Sequence, residues 1–118
     1  MAAMPGAFAA TGKRTFKIGL IGCGTRGKGA VRDFMGAAKL LGLEVRLVAA
    51  ADFFVEKAKD ALKQYEGDVS KAFGGANGYK EVLKSDCDIV LLCTPPFFRP
   101  RHVQAAVDAG KHIFAEKP

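Results

Sequence analysis

Short apolar runs rich in β-branched residues alternate along this chain with segments whose apolar positions recur every three or four residues, and that alternation predicts βαβ units around a parallel sheet. Phe16 to Ile21 (FKIGLI) reads as the first strand and ends on a glycine cluster. Lys28 to Leu41 reads as a helix whose apolar face is Ala30, Phe34, Ala37, Ala38 and Leu41, with Gly42 as its stop. Glu44 to Ala51 (EVRLVAAA) is the second strand, closed by Asp52, and Val55 to Tyr65 is a second amphipathic helix. Glu66 to Gly78 reads as loop, with at most a short strand around Ala72 and Phe73. Tyr79 to Lys84 is a brief helix. Asp88 to Cys93 (DIVLLC) is apolar almost throughout, as expected of a strand covered on both faces, and is expected at the centre of the sheet. Thr94, Pro95 and Pro96 break it. Arg101 to Ala109 is a further helix capped by Gly110, and His112 to Ala115 a last strand. The fold class predicted is therefore α/β, a Rossmann-type doubly wound sheet with helices on both faces.

Composition narrows the picture without changing it. The 118 residues are 49% hydrophobic and 25% charged, which suits one globular domain with its own core. Residues 16–118 are expected to form that domain, and residues 1–15 an N-terminal segment without fixed structure. No run approaches the ~18 apolar residues of a membrane span, because Glu44 and Arg46 interrupt the best candidate. The net charge is +6, yet its 18 basic residues are spread from Lys13 to Lys117 with acids between them, so no nucleic-acid tract is expected. A mild positive field suits a phosphate-bearing cofactor equally well. Cys23, Cys87 and Cys93 are an odd number without C-x-x-C spacing, which suggests neither a disulfide framework nor a metal site. They read as free thiols, Cys93 as a small core residue. The Ala7-Phe8-Ala9-Ala10 stretch resembles the end of an export signal but lacks the basic and apolar regions that precede one. A cytoplasmic location is expected, with a periplasmic one if an upstream signal has been removed.

The chemistry centres on Gly22-Cys23-Gly24-Thr25-Arg26-Gly27, a G-x-G-x-x-G loop between a strand and a helix. Asp52 stands 25 residues past Gly27, against an offset of about 20 in dinucleotide-binding units. Gly22 permits the tight turn, Gly24 lets the backbone approach a diphosphate, and Gly27 lets the helix pack closely on the strand. The helix's free N–H groups and its dipole would hold the anion. Asp52 would accept hydrogen bonds from the adenosine ribose and repel a 2′-phosphate, and Phe53 and Phe54 follow in the place of a phosphate-binding arginine. NAD is thus expected in preference to NADP. Thr94, Pro95 and Pro96, at the carboxyl end of a strand, would run along the nucleoside. A plain glycine turn with a helix-capping Asp52 is the bland alternative.

Taken together, Ile18-Gly19-Leu20-Ile21-Gly22-Cys23-Gly24, Thr94-Pro95-Pro96 and Ala109-Gly110-Lys111-His112-Ile113-Phe114-Ala115-Glu116-Lys117-Pro118 resemble the Gfo/Idh/MocA oxidoreductases, the relatives of glucose-fructose oxidoreductase and inositol dehydrogenase. The resemblance covers about Phe16 to Pro118. It implies hydride transfer between NAD and a secondary alcohol of a sugar or polyol. It also implies that Lys117 is catalytic and touches the cofactor, moving the proton of the reacting hydroxyl. A cationic nicotinamide ring beside it would disfavour the charged amine and bring its pKa toward the useful range. Glu116 would hold a ribose or orient that lysine. The same resemblance implies a second domain, outside these residues, carrying the substrate pocket, further catalytic groups and the interface of a homo-oligomer. By itself the domain is expected to bind dinucleotide and turn over little.

The pattern is not followed everywhere. Pro96-Phe97-Phe98-Arg99 stands where many members have Asn followed by His; His102 is expected to be a solvated first-turn residue, and His112 a hydrogen-bonded structural one. Two other readings compete. An S-adenosylmethionine methyltransferase shares the sheet and the glycine loop, and Thr94-Pro95-Pro96-Phe97 mimics its Pro-Pro-aromatic turn, although Thr94 and Leu20 replace the Asn or Asp and the acid that class uses. A non-catalytic NAD-binding module is the other.

Overall fold

A computed structural model describes residues 15–116. Five parallel strands make one sheet in the order β3-β2-β1-β4-β5. These are β1 (Thr15–Ile21), β2 (Glu44–Ala51), β3 (Ala72–Phe73), β4 (Ile89–Leu92) and β5 (His112–Ala115). Four helices connect them: α1 (Thr25–Leu40), α2 (Val55–Gln64), α3 (Gly78–Lys84) and α4 (Arg99–Asp108). Lys117 falls outside the described residues, as does the expectation of disorder over most of the N-terminal segment; Thr15, placed in that segment by the sequence, opens β1.

The period-two alternation of β1 sorts the core into two layers. Ile18 and Leu20 point to one face, where they meet Ala30 and Val31 of α1 and Ala58, Ala61 and Leu62 of α2. Ile21 points to the other, with Val90 and Leu92 of β4, Val82 of α3 and Ala106 of α4. Each of the large side chains, fully buried, contributes about 1.5–3 kcal/mol of transfer free energy. Val90, Leu91 and Leu92 are inaccessible to solvent, so β4 is covered on both faces as its run of apolar residues predicts. It is not the central strand, however. β1 is, because the chain crosses from the β2 side to the β4 side after α3 and leaves β1 between them. The switch point of the doubly wound sheet therefore lies between β1 and β4.

Three helix starts differ from the sequence expectation, that of α3 by a single residue, Gly78 in place of Tyr79. α1 begins at Thr25 rather than Lys28, so that Gly27, which read as a turn residue, lies within it. α4 begins at Arg99 rather than Arg101, with Pro100 in its first turn, where the missing N–H costs nothing. The apolar face of α1 also differs. It rests on Gly27, Ala30, Val31 and Ala38, while Ala37 and Leu41 face solvent, because the close seating of Gly27 on β1 sets the rotation of the whole helix. The helix ends as expected at Gly42 (φ +73°): Leu43 N–H donates to Ala38 O (2.8 Å) and Gly42 N–H to Lys39 O (3.1 Å), the paired bonds of a Schellman cap.

Among the described residues no helix is long and apolar enough to cross a membrane, and no group of three or more His, Cys, Asp or Glu side chains could hold a metal ion.

Candidate functional site: a crevice at the carboxyl ends of the strands

The turn that leaves β1 is built from its glycines upward. Gly22 has φ +96°, a region that suits glycine, and a Cβ there would stand 2.6 Å from the backbone carbon of Cys93. The turn thus lies directly against the end of β4. A Cβ on Gly27 would stand 1.9 Å from the carbonyl oxygen of Gly22, so only glycine lets α1 start this close to the strand. At Gly24 the situation is reversed: nothing lies within 4 Å of where a Cβ would be. That space belongs to the crevice. α1 has Gly24 as N-cap, with no side-chain cap and no acid in its first turn, so its leading amides and the positive end of its dipole are open to an anion.

Asp52, immediately after β2, holds this turn in place. One carboxylate oxygen accepts from Cys23 N–H (2.9 Å), the other from Phe54 N–H (3.0 Å). A carboxylate has about four acceptor sites, so both oxygens keep capacity for ligand hydroxyls. Asp52 is therefore an organiser of the glycine turn, a role the sequence reading of it as a ribose acceptor did not include. Cys23, tucked beneath, is 1% exposed; burial first and the charge of Asp52 second push its thiol up to about 12. It fills space and is not a nucleophile.

Between Asp52 and the end of β4 opens a cavity of about 570 Å³, a size that suits a nucleoside. Phe53 and Phe54 form one wall, with the Lys57 ammonium 5.5 Å from the Phe54 ring centroid. Phe98, Tyr79 and His102 form the opposite wall. The sequence placed Phe53 and Phe54 only as occupants of an arginine's position, and gave Tyr79, Phe98 and His102 no part in a cavity wall. These five rings come from the starts of three different helices, and their convergence follows only from the strand order. Cys93, half-buried, packs against the core as its apolar surroundings predicted and also lines the cavity. The raised pKa of its thiol comes mainly from burial, then from the charge of Glu116.

Thr94 is gripped at both ends. Its hydroxyl is 3.0 Å from His102 Nδ1 and its carbonyl accepts from the Arg99 guanidinium. Pro95 lines the cavity beside it, and Pro96 opens a 3-10 turn, Pro96–Phe98, that carries the chain into α4. Since α4 starts at Arg99, position 102 faces the sheet and not solvent. His102 is 6% exposed, its ring centroid 4.4 Å from that of Tyr79, which corrects the expectation of a solvated histidine. His112 departs in the opposite sense: it is exposed on β5, an edge strand.

Burial first, then Arg101 and Arg99, hold the His102 pKa below its ordinary 6.5. The folded chain thus binds fewer protons at this site than the unfolded chain, and stability should fall as the pH drops below about 6.5 toward the lowered folded value. His102→Phe keeps an aromatic ring and removes the titration. Melting temperatures at about pH 7.5 and pH 5.5 should differ less in this variant than in the unsubstituted chain, and equal differences would show that His102 does not carry the effect.

Of the loop residues named from sequence, Gly22 and Gly24 line the crevice, Cys23 lies under it and Gly27 fixes its floor. Thr25 and Arg26 open α1 and line a separate groove with Lys28, Arg32, Gln64 and Tyr65. Arg26 Nε lies 2.7 Å from Glu116 Oε2, which brings the end of β5 to the glycine turn.

The family model of the "Oxidoreductase family, NAD-binding Rossmann fold", named GFO_IDH_MocA, matches residues 16–118. The chain belongs to the Gfo/Idh/MocA oxidoreductase family. It is similar to the inositol 2-dehydrogenase of Burkholderia ambifaria, with 35% identity over 107 residues covering 88% of this chain and 29% of that protein. It is similar also to glycosyl hydrolase family 109 protein 2 of Shewanella sp. strain ANA-3, with 33% identity over 105 residues covering 86% of this chain and 22% of that one. Among solved structures, the WlbA dehydrogenase of Bordetella pertussis, in complex with NADH and UDP-GlcNAcA, superposes with a TM-score of 0.67 at 25% identity, covering 89% of this chain and 29% of that one. The chain thus spans less than a third of the length of these relatives. Membership in the family makes this an NAD-binding domain and sets aside the methyltransferase reading. The crevice fits that cofactor on its own terms: uncapped amides and empty space at Gly24 for a diphosphate, and a carboxylate beside an apolar, aromatic-walled cavity for the nucleoside.

Proposed function

We propose that this chain is the cofactor-binding part of an oxidoreductase that transfers hydride between NAD and a secondary alcohol carbon of a sugar or polyol. The observation that carries the reading is the pairing of Gly24, open to the crevice, with Asp52, whose carboxylate is fixed by the same turn. Bound NAD supplies the hydride acceptor. The amides at the start of α1 hold the diphosphate. Asp52 accepts from the adenosine ribose, and the Phe53–Phe54 wall offers no cation in the immediate neighbourhood of a 2′-phosphate beyond Lys57, so NAD is preferred to NADP. Thr94, held by His102 and Arg99, and Pro95 keep the turn after β4 rigid along the nucleoside. In the intact protein Lys117 accepts the hydroxyl proton as the carbinol carbon becomes a carbonyl, a role that rests on the family resemblance; the substrate pocket belongs to residues beyond this chain.

A relative named for glycosyl hydrolysis favours a second reading, in which the same hydride transfer is transient and the net reaction cleaves a glycosidic bond. The two differ in their products. Incubating the intact protein with NAD and a panel of polyols, free sugars and aryl glycosides should give NADH with a polyol or sugar. Release of the aglycone without accumulation of NADH would favour the second reading. Thermal-shift titration of this chain should show stabilisation by NAD exceeding that by NADP at equal concentration, with none by S-adenosylmethionine. Stabilisation by S-adenosylmethionine alone would overturn the proposal.

A further inference from the structure

The first-turn arginine of α1 is the obvious side chain to meet a diphosphate, yet the structure commits it elsewhere. Arg26 points to Glu116, with its Nε 2.7 Å from Oε2. The residues lining the nucleoside crevice do not include it; it lines the groove on the far side of the helix start, with Lys28 and Arg32. Glu116 is held twice, since its backbone N–H also donates to Leu92 O of β4 (3.0 Å). Its side chain is only 26% exposed, against 55% for Arg26, so the pair is not the fully solvated kind that contributes little. Glu116 follows β5 and bonds to the end of β4, so the pair lies on the side of β1 opposite β2 and Asp52.

We propose that Arg26 is a positioning residue for Glu116, and not a ligand of the cofactor's diphosphate. The inference rests on the NAD-binding reading and deepens it. With adenosine on the β2 side at Asp52 and the diphosphate at α1, the second nucleoside of a dinucleotide must lie over β4 and β5, on the other side of the switch point. Glu116 is the carboxylate placed there, as Asp52 is on the β2 side. Its direction is fixed by a charge-assisted bond from a helix whose own amides grip the anion. Binding the diphosphate and setting the residue before Lys117 are thereby tied to one turn of α1, while the diphosphate itself is left to backbone amides.

Truncating the ligand separates the two roles. ADP carries the adenosine and the diphosphate but lacks the second nucleoside; NAD carries all three. Calorimetric titration of this chain should give, for Arg26→Ala, NAD affinity lower by about three- to tenfold and ADP affinity within about twofold of the unsubstituted chain. Glu116→Gln should do the same, and the double variant should be no worse than either single one, because both remove one interaction. Arg26→Lys, which keeps a cation within reach, should restore part of the NAD affinity. A diphosphate-binding Arg26 makes opposite forecasts: Arg26→Ala would weaken ADP as much as NAD, and Glu116→Gln, by freeing the arginine, would strengthen both. Either of those results, additive losses, or no effect on NAD would overturn the proposal. Failure of the unsubstituted chain to bind ADP or NAD would be a separate result, removing the cofactor reading and this proposal with it.

Discussion

Gly27→Ala is expected to cost this chain about 3 kcal/mol or more, at or beyond the upper end of ordinary overpacking, and to lower its melting temperature by about 10 °C or more. The added methyl would stand 1.9 Å from the Gly22 carbonyl oxygen and 3.0 Å from its carbon. Those are backbone atoms of a turn already fixed by the Gly22 N–H bond to Ala51 O (2.8 Å), so no side-chain rotation relieves the clash. α1 would have to lift off β1, and Ala30 and Val31 would leave the core with it. Gly24→Val makes the contrast. Its side chain enters open space, so the melting temperature should stay within a few degrees while NAD affinity falls by about tenfold or more, since the side chain occupies the place of the diphosphate. Differential scanning calorimetry and NAD titration of the two variants together separate a glycine needed for packing from one needed for the ligand. A Gly27→Ala chain that melts like the unsubstituted one, or a Gly24→Val chain that binds NAD normally, would contradict this account of the turn.

Lys117→Ala in the intact protein is expected to lower kcat by about 10²- to 10⁴-fold, the usual range for a positioned general acid or base, with NAD affinity changed by less than about threefold. Glu116 is pinned by Leu92 O and by Arg26 at the carboxyl edge of the sheet, on the side where the nicotinamide end of a dinucleotide would lie. Lys117→Arg should rescue little, because a guanidinium does not give up its proton in the working range. Steady-state kinetics beside NAD titration decide the matter: an unaltered kcat would remove Lys117 from proton transfer, and equal losses in binding and turnover would make it a binding residue only.

The βαβ alternation, the five strands and the glycine turn were legible in the sequence because each has a local signature: period-two or unbroken apolar runs, and glycines at spacings that sterics demand. Asp52 was singled out by its position after the second strand, as a ribose acceptor or a helix cap, but its hold on the glycine turn was not foreseen. Its bond to Phe54 is local, but its bond to Cys23 required knowing that β1 and β2 are neighbours. What could not be read is whatever depends on strand order or helix rotation. The run from Asp88 to Cys93 reads as central because it is apolar on both faces, yet β4 satisfies that condition one place from the centre. His102 reads as solvated when α4 is started at Arg101; two more residues of helix turn it inward onto Tyr79 and Thr94. Leu41 fits the helical period of α1 but lies at its cap, outside the packed stripe that Gly27 dictates. The aromatic walls of the cavity, Phe53 and Phe54 against Phe98 and Tyr79, have no shared motif and meet only through the fold.

The claim on which the rest stands is that the start of α1 holds a diphosphate while Asp52 holds the sugar next to it. A crystal structure of this chain grown with NAD tests it directly. The account predicts diphosphate oxygens within hydrogen-bond distance, about 2.7–3.2 Å, of backbone nitrogens in the turn from Gly24 to Gly27, and a ribose hydroxyl at the same distance from an Asp52 oxygen. An NAD molecule bound away from this turn, or one with its ribose turned from Asp52, would contradict it.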